Sequence, residues 1–281
     1  MHVQYRGAVP HTPPYGNAPL QLVVAEVRHP QSADLTRGEI ATLKQQLSSV
    51  APLQATDQAS DFQIEVGPNG VPGPPRVRTR EVTKFLTRDR RTTISFSNEF
   101  LSVETTKYVG WTKFQRFLDA ALRARQDVVP VDGLTRLGLR YIDEIRIPVS
   151  IQPVPNWSEW VQSSLLAPEV KVDSTSLTVA QQQSTVQYRL DGLGETLALR
   201  YGAVDGPPAV QSAPHLLRPD VPPEGPYFLI DTDVAWTLAD GEDLPELLPV
   251  DVMKRADRLH GPTKAVFESV ITGRLREEVL K

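Results

Sequence analysis

Hydrophobic and polar positions alternate along several short segments of the chain and recur every three or four residues along a few longer ones. A period of two predicts β-strands, and a period near 3.6 predicts α-helices that bury one side. In the first half, these patterns predict strands over 22–27, 82–87, 92–97, 101–105 and 137–147 and helices over 36–47 and 111–122. The polar turn 88–91 joins the strands 82–87 and 92–97, and together with 101–105 they should form an antiparallel meander.

The second half repeats this succession, with strands followed by a helix. Its alternating segments predict strands over 176–179, 185–190, 196–201 and 227–236, and a long C-terminal helix carries an apolar stripe from Val252 to Leu275. The pair Gly261-Pro262 should kink or restart that helix, because proline removes a backbone donor. We therefore predict an α+β fold of antiparallel sheets packed against long amphipathic helices. The layout allows two similar halves, in one sheet or in two.

Proline and glycine divide the chain into further segments. Residues 1–19 carry four prolines and predict a flexible tail. The run 67–75 and the seven-proline run 205–226 predict surface loops, because neither residue type continues a regular element well. We place an N-terminal α+β half at 20–156 and a C-terminal α+β half, with the long loop, at 157–281.

One set of short motifs resembles a known family. Its members are Ala18-Pro19-Leu20, Tyr108, Trp111, Phe114, Gly138-Leu139-Arg140-Tyr141-Ile142, Leu259-His260, Phe267-Glu268 and Ile271-Thr272. The set spans nearly the whole chain and resembles an uncharacterised, sporadically distributed prokaryotic protein family that carries only a provisional family number. Members of that family usually have asparagine at the position of Asp143. The resemblance implies a bacterial protein, and the patchy distribution implies a mobile or defence-type locus.

Composition excludes several kinds of chemistry. The 281 residues include no cysteine, which removes disulfides, thiolate metal sites and cysteine nucleophiles and favours a cytoplasmic location. No segment has the roughly 20 consecutive apolar residues of a membrane span. Phosphate-binding glycine motifs and histidine metal motifs are also missing from the sequence, so we expect no cofactor and favour a protein that is not an enzyme.

One group of residues offers metal chemistry. Asp231 and Asp233 flank Thr232 on a predicted strand, so both carboxylates should lie on one face and could share a magnesium ion. His260 follows an apolar position of the last helix and is the best histidine for a ligand or a proton shuttle. Against this set, a partly buried packing role for His260 and a solvated strand face for the aspartates are the commoner arrangements.

Basic residues offer a binding surface. The net charge is −4, yet seven basic and two acidic residues lie within 76–91, and we expect its arginines at one rim of the sheet, namely Arg76, Arg78, Arg80, Arg88, Arg90 and Arg91. Arg140 should lie on the strand face opposite Tyr141, where it can pair with Glu144 or hold an anionic ligand. A solvated face that protects the sheet edge explains the same arginines without a partner.

These observations favour a non-catalytic binding or regulatory accessory protein. It would recognise a protein partner through the basic hairpin 76–91, the proline-rich loop or the cleft between the halves. One alternative is a metal-dependent nuclease or hydrolase that uses Asp231, Asp233 and His260. Another is a nucleic-acid or nucleotide-phosphate binder that uses the basic hairpin.

Overall fold

The structure is a computed structural model and describes residues 15–63, 76–150, 156–168, 179 and 181–281. Within these ranges it contains strands β1 (Leu20–Arg28), β2 (Leu53–Gln63), β3 (Arg76–Leu86), β4 (Thr92–Phe96), β5 (Phe100–Thr105), β6 (Arg136–Ile145), β7 (Ser184–Arg189), β8 (Glu195–Gly206) and β9 (Gly225–Thr237). The helices are α1 (Arg37–Leu47), α2 (Trp111–Val128) and α3 (Pro249–Val270), with short helical turns at Trp157–Glu159, Ser163–Leu165 and Leu275–Leu280. No described helix is long and apolar enough to cross a membrane.

All nine strands form one antiparallel sheet in the order β2-β3-β4-β5-β1-β6-β9-β8-β7. The prediction of an α+β fold with antiparallel strands is confirmed. The sequence left open whether the strands form one sheet or two, and the described strands form one. β1 and β6 lie side by side at the centre. From β1 outward the strands follow in reverse chain order, from β5 to β2, and from β6 outward they follow from β9 to β7.

One face of the sheet is apolar and lies against the helices. Val23, Ala25 and Val27 of β1 are fully buried, and the register pairs Ala25 with Leu139 of β6 and Val103 of β5. Because successive side chains of a strand point to opposite faces, these odd positions form one continuous apolar surface. Helices α2 and α3 contact β5, β6 and β9 on this side and complete the core.

Local sequence explains where the helices begin. Thr36 accepts a hydrogen bond from the Glu39 amide, while the Glu39 carboxylate accepts one from the Thr36 amide at 2.7 Å, so a capping box starts α1. Helix α3 begins with Pro249 in its first turn, where a missing backbone donor costs nothing. It then continues through Pro262 as one helix, so of the predicted kink or restart at this proline the restart does not occur.

One strand of the structure was not predicted, and some predicted segments lie outside the described residues. Strand β2 was not predicted, because its sequence is polar and lacks the β-branched run that usually marks a strand. It forms an eleven-pair ladder with β3. The loop 67–75, most of the tail 1–19 and all of the predicted strand 176–179 except residue 179 lie outside the described residues.

Leu118→Ala tests the core between α2 and the sheet. Leu118 is 0% exposed, so truncation should lower the free energy of unfolding by about 2–5 kcal/mol through lost burial and a residual cavity. Urea denaturation followed by circular dichroism measures the change. Val250→Ala is the control, because Val250 lies on α3 with 57% of its surface exposed and should change stability little. Equal effects of the two substitutions would contradict this description of the core.

Candidate functional site

The second face of the sheet carries charged side chains near its centre. The register places Arg140 of β6 opposite Asp233 of β9, and Arg200 of β8 opposite Asp231 of β9. Since directly paired residues of neighbouring strands share a face, these four side chains lie on one side. Tyr141 faces the helices instead, so Arg140 lies opposite Tyr141 as the sequence pattern predicts.

Ion pairs connect these residues into a network. Arg140 binds Asp231 through two hydrogen bonds, from Nε to Oδ1 at 2.8 Å and from Nη2 to Oδ2 at 2.7 Å. Arg200 adds a longer contact of 3.4 Å to the same carboxylate. The hydrogen bond with Asp231 raises the pKa of Arg140. The Asp231 side chain is only 4% exposed, so this buried carboxylate is already held by two arginines.

The network continues toward β1. Arg136 binds Glu26 at 2.9 Å and approaches Asp233 at 3.5 Å, and Glu26 also binds Arg28 at 2.7 Å. Acidic and basic groups therefore alternate across the central strands. A face with this balance presents no continuous positive strip to a phosphate backbone.

A long connection crosses one end of this polar face. It joins β8 to β9 and comprises residues 207–224, which we call the strap. Glu144, buried at the end of β6, accepts hydrogen bonds from Arg146 at 2.6 Å, Arg218 at 3.2 Å and the Ala209 amide at 2.9 Å. Because Arg218 and Ala209 both belong to the strap, this one carboxylate fixes it to the sheet. The predicted surface loop thus has a fixed course.

The strap is held a second time by the opposite half of the sheet. Thr93 of β4 donates to the His215 carbonyl at 2.5 Å, and Thr106 donates to the Leu217 carbonyl at 2.6 Å. The Leu217 amide donates to the Arg90 carbonyl at 2.8 Å. Between β6 and β4 the strap therefore spans four strands, or about 14 Å at the usual strand spacing.

The basic segment does not form one rim. Arg76, Arg78 and Arg80 lie on β3, whereas the turn with Arg88, Arg90 and Arg91 follows the far end of that strand. At 3.3 Å per residue, the two groups are separated by up to about 30 Å along the strand direction. The shared rim was therefore a wrong expectation, because β3 is longer than the segment 82–87 from which it was predicted. The side chains of Arg76, Arg78 and Arg80 lie outside the described part of the structure.

The turn itself supports the strap. Arg88 and Arg90 are exposed, and Arg90 adopts a left-handed backbone with φ of 54°. Arg91 points inward and donates from Nη2 to the Thr106 carbonyl at 3.0 Å. Of the three arginines, two therefore remain available at the surface, next to the strap.

Asp231 and Asp233 do not meet His260. The two carboxylates lie on the polar face, while His260 of α3 lies on the helix side, where its Nδ1 hydrogen-bonds the Tyr141 hydroxyl at 2.8 Å. Within the described ranges, no three acidic or histidine side chains come together as a metal site. The proposed metal set is thus divided between the two faces of the sheet.

His260 belongs to an aromatic cluster. Its ring stacks on Trp111 with centroids 4.4 Å apart and planes inclined by 13°. Tyr108 packs edge-on against Tyr141, and Trp111 donates to Asp257 of α3 at 2.7 Å. Burial raises the pKa values of both tyrosines above their usual range. Several family-resemblance motifs therefore converge here, where they join α2 and α3 to β6.

Asp143 lies nearby on β6 and is buried. No described residue donates a hydrogen bond to its carboxyl group. Burial raises its pKa to about 8, and the Asp231 charge adds to that effect. The adjacent Glu144 has three donors, so the two neighbouring acids have opposite environments. The sequence did not indicate that Asp143 would lack hydrogen-bond donors while Glu144 has three, because two of the Glu144 donors come from the distant strap.

Comparison with known proteins gives no family for this chain. No protein-family model matches it, and no curated protein does so either.

Arg218→Met tests the attachment of the strap. The substitution leaves the buried Glu144 carboxylate without one cationic partner, so it should lower the free energy of unfolding by about 3–5 kcal/mol or release the strap locally. Limited proteolysis, with cleavage sites read by mass spectrometry, should report faster cutting within 207–224. Lys254→Met, which breaks the exposed pair with Asp251, should leave the cleavage rate unchanged. Equal cleavage of both variants would contradict the clamp.

Asp143→Asn tests the buried acid. An unfolded aspartate has a pKa of 3.8 and the folded group about 8, so the folded protein holds this proton more tightly. The free energy of unfolding should therefore fall as pH rises from about 4 to about 8, with a total effect of several kcal/mol. The amide of the variant does not titrate, so this slope should disappear. The variant should then be the more stable protein at pH 9 and similar to the wild type at pH 4.

Urea denaturation of both proteins at the two pH values measures this difference. Asp243→Asn, at an exposed position, is the control and should follow the wild-type pH dependence. An Asp143→Asn variant that loses stability with pH as steeply as the wild type would refute the assignment.

Proposed function

We propose that this protein is a non-catalytic binding protein that recognises a protein partner through the surface formed by the turn 88–91 and the strap. We call this the strap–turn surface. The observation that carries the proposal is Leu217. Its amide and carbonyl are both hydrogen-bonded to the opposite half of the sheet, yet 37% of its surface is exposed. An exposed apolar side chain on a fixed backbone loses little conformational freedom on binding, which favours a contact with a partner.

The charges beside this anchor indicate the chemistry of the partner. Arg88 and Arg90 are exposed, and no carboxylate of the described residues lies within ion-pair distance of either. Asp89, between them, binds Lys107 instead. Arginine is enriched in protein interfaces, because it combines apolar contact with several donors. A partner with an acidic surface around an apolar pocket fits this arrangement.

The proposal extends to the organisation of the chain. We infer two similar halves that meet at the β1–β6 pair. In each half the first strand is central, the last strand lies beside it, the remaining strands follow outward in reverse order, and a helix follows the last strand. This order supports a boundary between α2 and β6, earlier than the boundary predicted at 156. The long amphipathic character of α2 and α3 belongs to the same proposal, supported by their buried stripes.

Location and genetic context remain part of this proposal. The cysteine-free composition supports a cytoplasmic protein. The resemblance described above supports a bacterial accessory role in a mobile or defence-type locus, and an adjacent toxin-like or defence gene would strengthen it.

Partner capture with a double variant, Leu217→Ser with Arg88→Glu, tests the surface. Tagged protein is used as bait in a nuclease-treated lysate of the source organism, and bound proteins are identified by mass spectrometry. We expect a stoichiometric partner with the wild type and at least a tenfold loss with the variant, because both the apolar anchor and a cation are removed.

The matched control is Val250→Ser with Arg116→Glu. It makes the same charge reversal and a similar apolar-to-serine change at exposed positions of α2 and α3, and it should retain the partner. Equal retention by both double variants would contradict the strap–turn surface. Recovery of nucleic acid alone from an untreated lysate would instead favour the phosphate-binding alternative.

A further inference from the structure

A second surface lies at the opposite end of the sheet from the strap. There the turn between β7 and β8, the segment after β9 and one side of α3 border an open pocket of about 330 Å³, which we call the end pocket. Leu193 of the turn, Trp236 at the end of β9 and Leu238 supply apolar walls. Arg255 and Arg258 of α3 supply charge. Its volume is at the low end of the range of about 300–1,000 Å³ for ligand sites.

The turn that forms one wall has a constrained shape. Gly194 has a φ of +73°, and a Cβ atom there would lie 2.2 Å from the Thr237 carbonyl oxygen. The Thr237 amide donates to the Gly194 carbonyl at 3.0 Å. This contact fixes the turn against the end of β9, so the apolar side chain of Leu193 stays at the pocket although 68% of its surface is exposed.

Arg255 is the polar group available to a ligand. Its guanidinium carbon lies 3.9 Å from the centre of the Trp236 ring. A guanidinium group above an aromatic ring keeps those N–H donors that point away from the ring. No carboxylate of the described residues forms an ion pair with Arg255. The group therefore lies over the indole ring without an ion pair among the described residues, although the Glu195 and Asp251 charges act on it from a longer distance.

Arg258 is a second cation beside this group, and its charge is partly offset by a carboxylate. It binds the buried carboxylate of Glu195 and is held in place by that pair. Burial lowers the pKa of Arg255, and the neighbouring Arg258 charge lowers it further. The Glu195 and Asp251 charges raise it in part, and an added anion would act in the same direction as these carboxylates. Glu242 and Asp243 at the exposed rim would in turn disfavour a doubly charged ligand.

We propose that the end pocket binds a small organic monocarboxylate with an apolar body. Its carboxylate would accept paired hydrogen bonds from the edge of Arg255, a geometry that suits the planar fork of arginine. Its apolar part would contact Leu193 and Leu238. This site goes beyond the protein-binding function proposed above and lies at the other end of the sheet, so neither proposal depends on the other.

Binding of benzoate tests the end pocket. Benzoate combines a carboxylate with a flat apolar ring, and benzamide is its neutral counterpart of nearly the same shape. We expect benzoate at millimolar concentration to cause a saturable shift of the indole N–H resonance of Trp236 in the full-length protein. Benzamide should bind at least tenfold more weakly.

Arg255→Met removes the charge but keeps an unbranched side chain, and it should weaken benzoate binding at least tenfold. Arg255→Lys keeps the charge without the fork and should restore only part of the affinity. Arg116→Met, at an exposed position of α2, is the matched control with the same loss of charge and should bind like the wild type. Thermal denaturation verifies that each variant is folded.

Three results would overturn the proposal. They are the absence of a saturable shift with benzoate, equal binding of benzoate and benzamide, and unchanged benzoate affinity in folded Arg255→Met. None of them bears on partner capture by the strap–turn surface, so the two proposals fail separately.

Discussion

The antiparallel pairing of β1 with β6 is the constraint on which the rest of the molecule depends. It joins two groups of strands into one sheet, and its register aligns Ala25 with Leu139 and Val24 with Arg140. Because side chains alternate strictly, this register places the leucine under the helices and the arginine on the polar face. A slip of one residue would move Arg140 into the core and Leu139 out of it. The charged network and the apolar core thus follow from the same pairing.

The buried charge of Glu144 determines how the strap crosses the polar face. Glu144 is almost completely buried, and an uncompensated carboxylate there would be costly. Two of its three donors come from the strap, at Ala209 and Arg218. The strap must therefore return to the same place whenever the protein folds. Proline adds to this effect, because it restricts the backbone of the unfolded strap and reduces the entropy lost on docking. A fixed backbone is what makes the exposed Leu217 useful as an anchor.

Sequence patterns predicted most of the helices and strands, and they predicted which face of β6 meets the helices. Leu137, Leu139 and Tyr141 alternate with Arg136 and Arg140, so the side of β6 that meets the helices was readable. The partner of Arg140 was not, because Asp231 comes from a strand some 90 positions later in the chain, and local patterns carry no information about strand order. Strand β2 was missed because hydrogen bonds to β3, rather than apolar side chains, define it.

The site residues had the same limits. The aspartates and His260 lie on opposite sides of the sheet. The sequence could not show this, because alternation predicts which residues of a strand share a face but not the face against which a distant helix packs. Proline runs indicated an extended surface loop, and nothing in them indicated that Leu217 would bond to Arg90. The resemblance motifs carried more spatial information than the charge patterns. Tyr108, Trp111, Tyr141 and His260 are far apart in sequence and meet in one cluster.

The inferred relation between the halves gives the two proposed surfaces a common origin. Since β1 and β6 are antiparallel, they begin at opposite ends of the sheet. The turn between β3 and β4 in the first half then corresponds to the turn between β7 and β8 in the second. The strap, which belongs to the second half of the chain, lies over the β3–β4 turn of the first half on the polar face. In the second half no described connection plays the part of the strap, and the turn instead closes on Trp236 beside α3. If the two halves are related, these two turns are equivalent and have diverged. One now supports the strap–turn surface for a protein partner, and the other borders the end pocket for a small ligand.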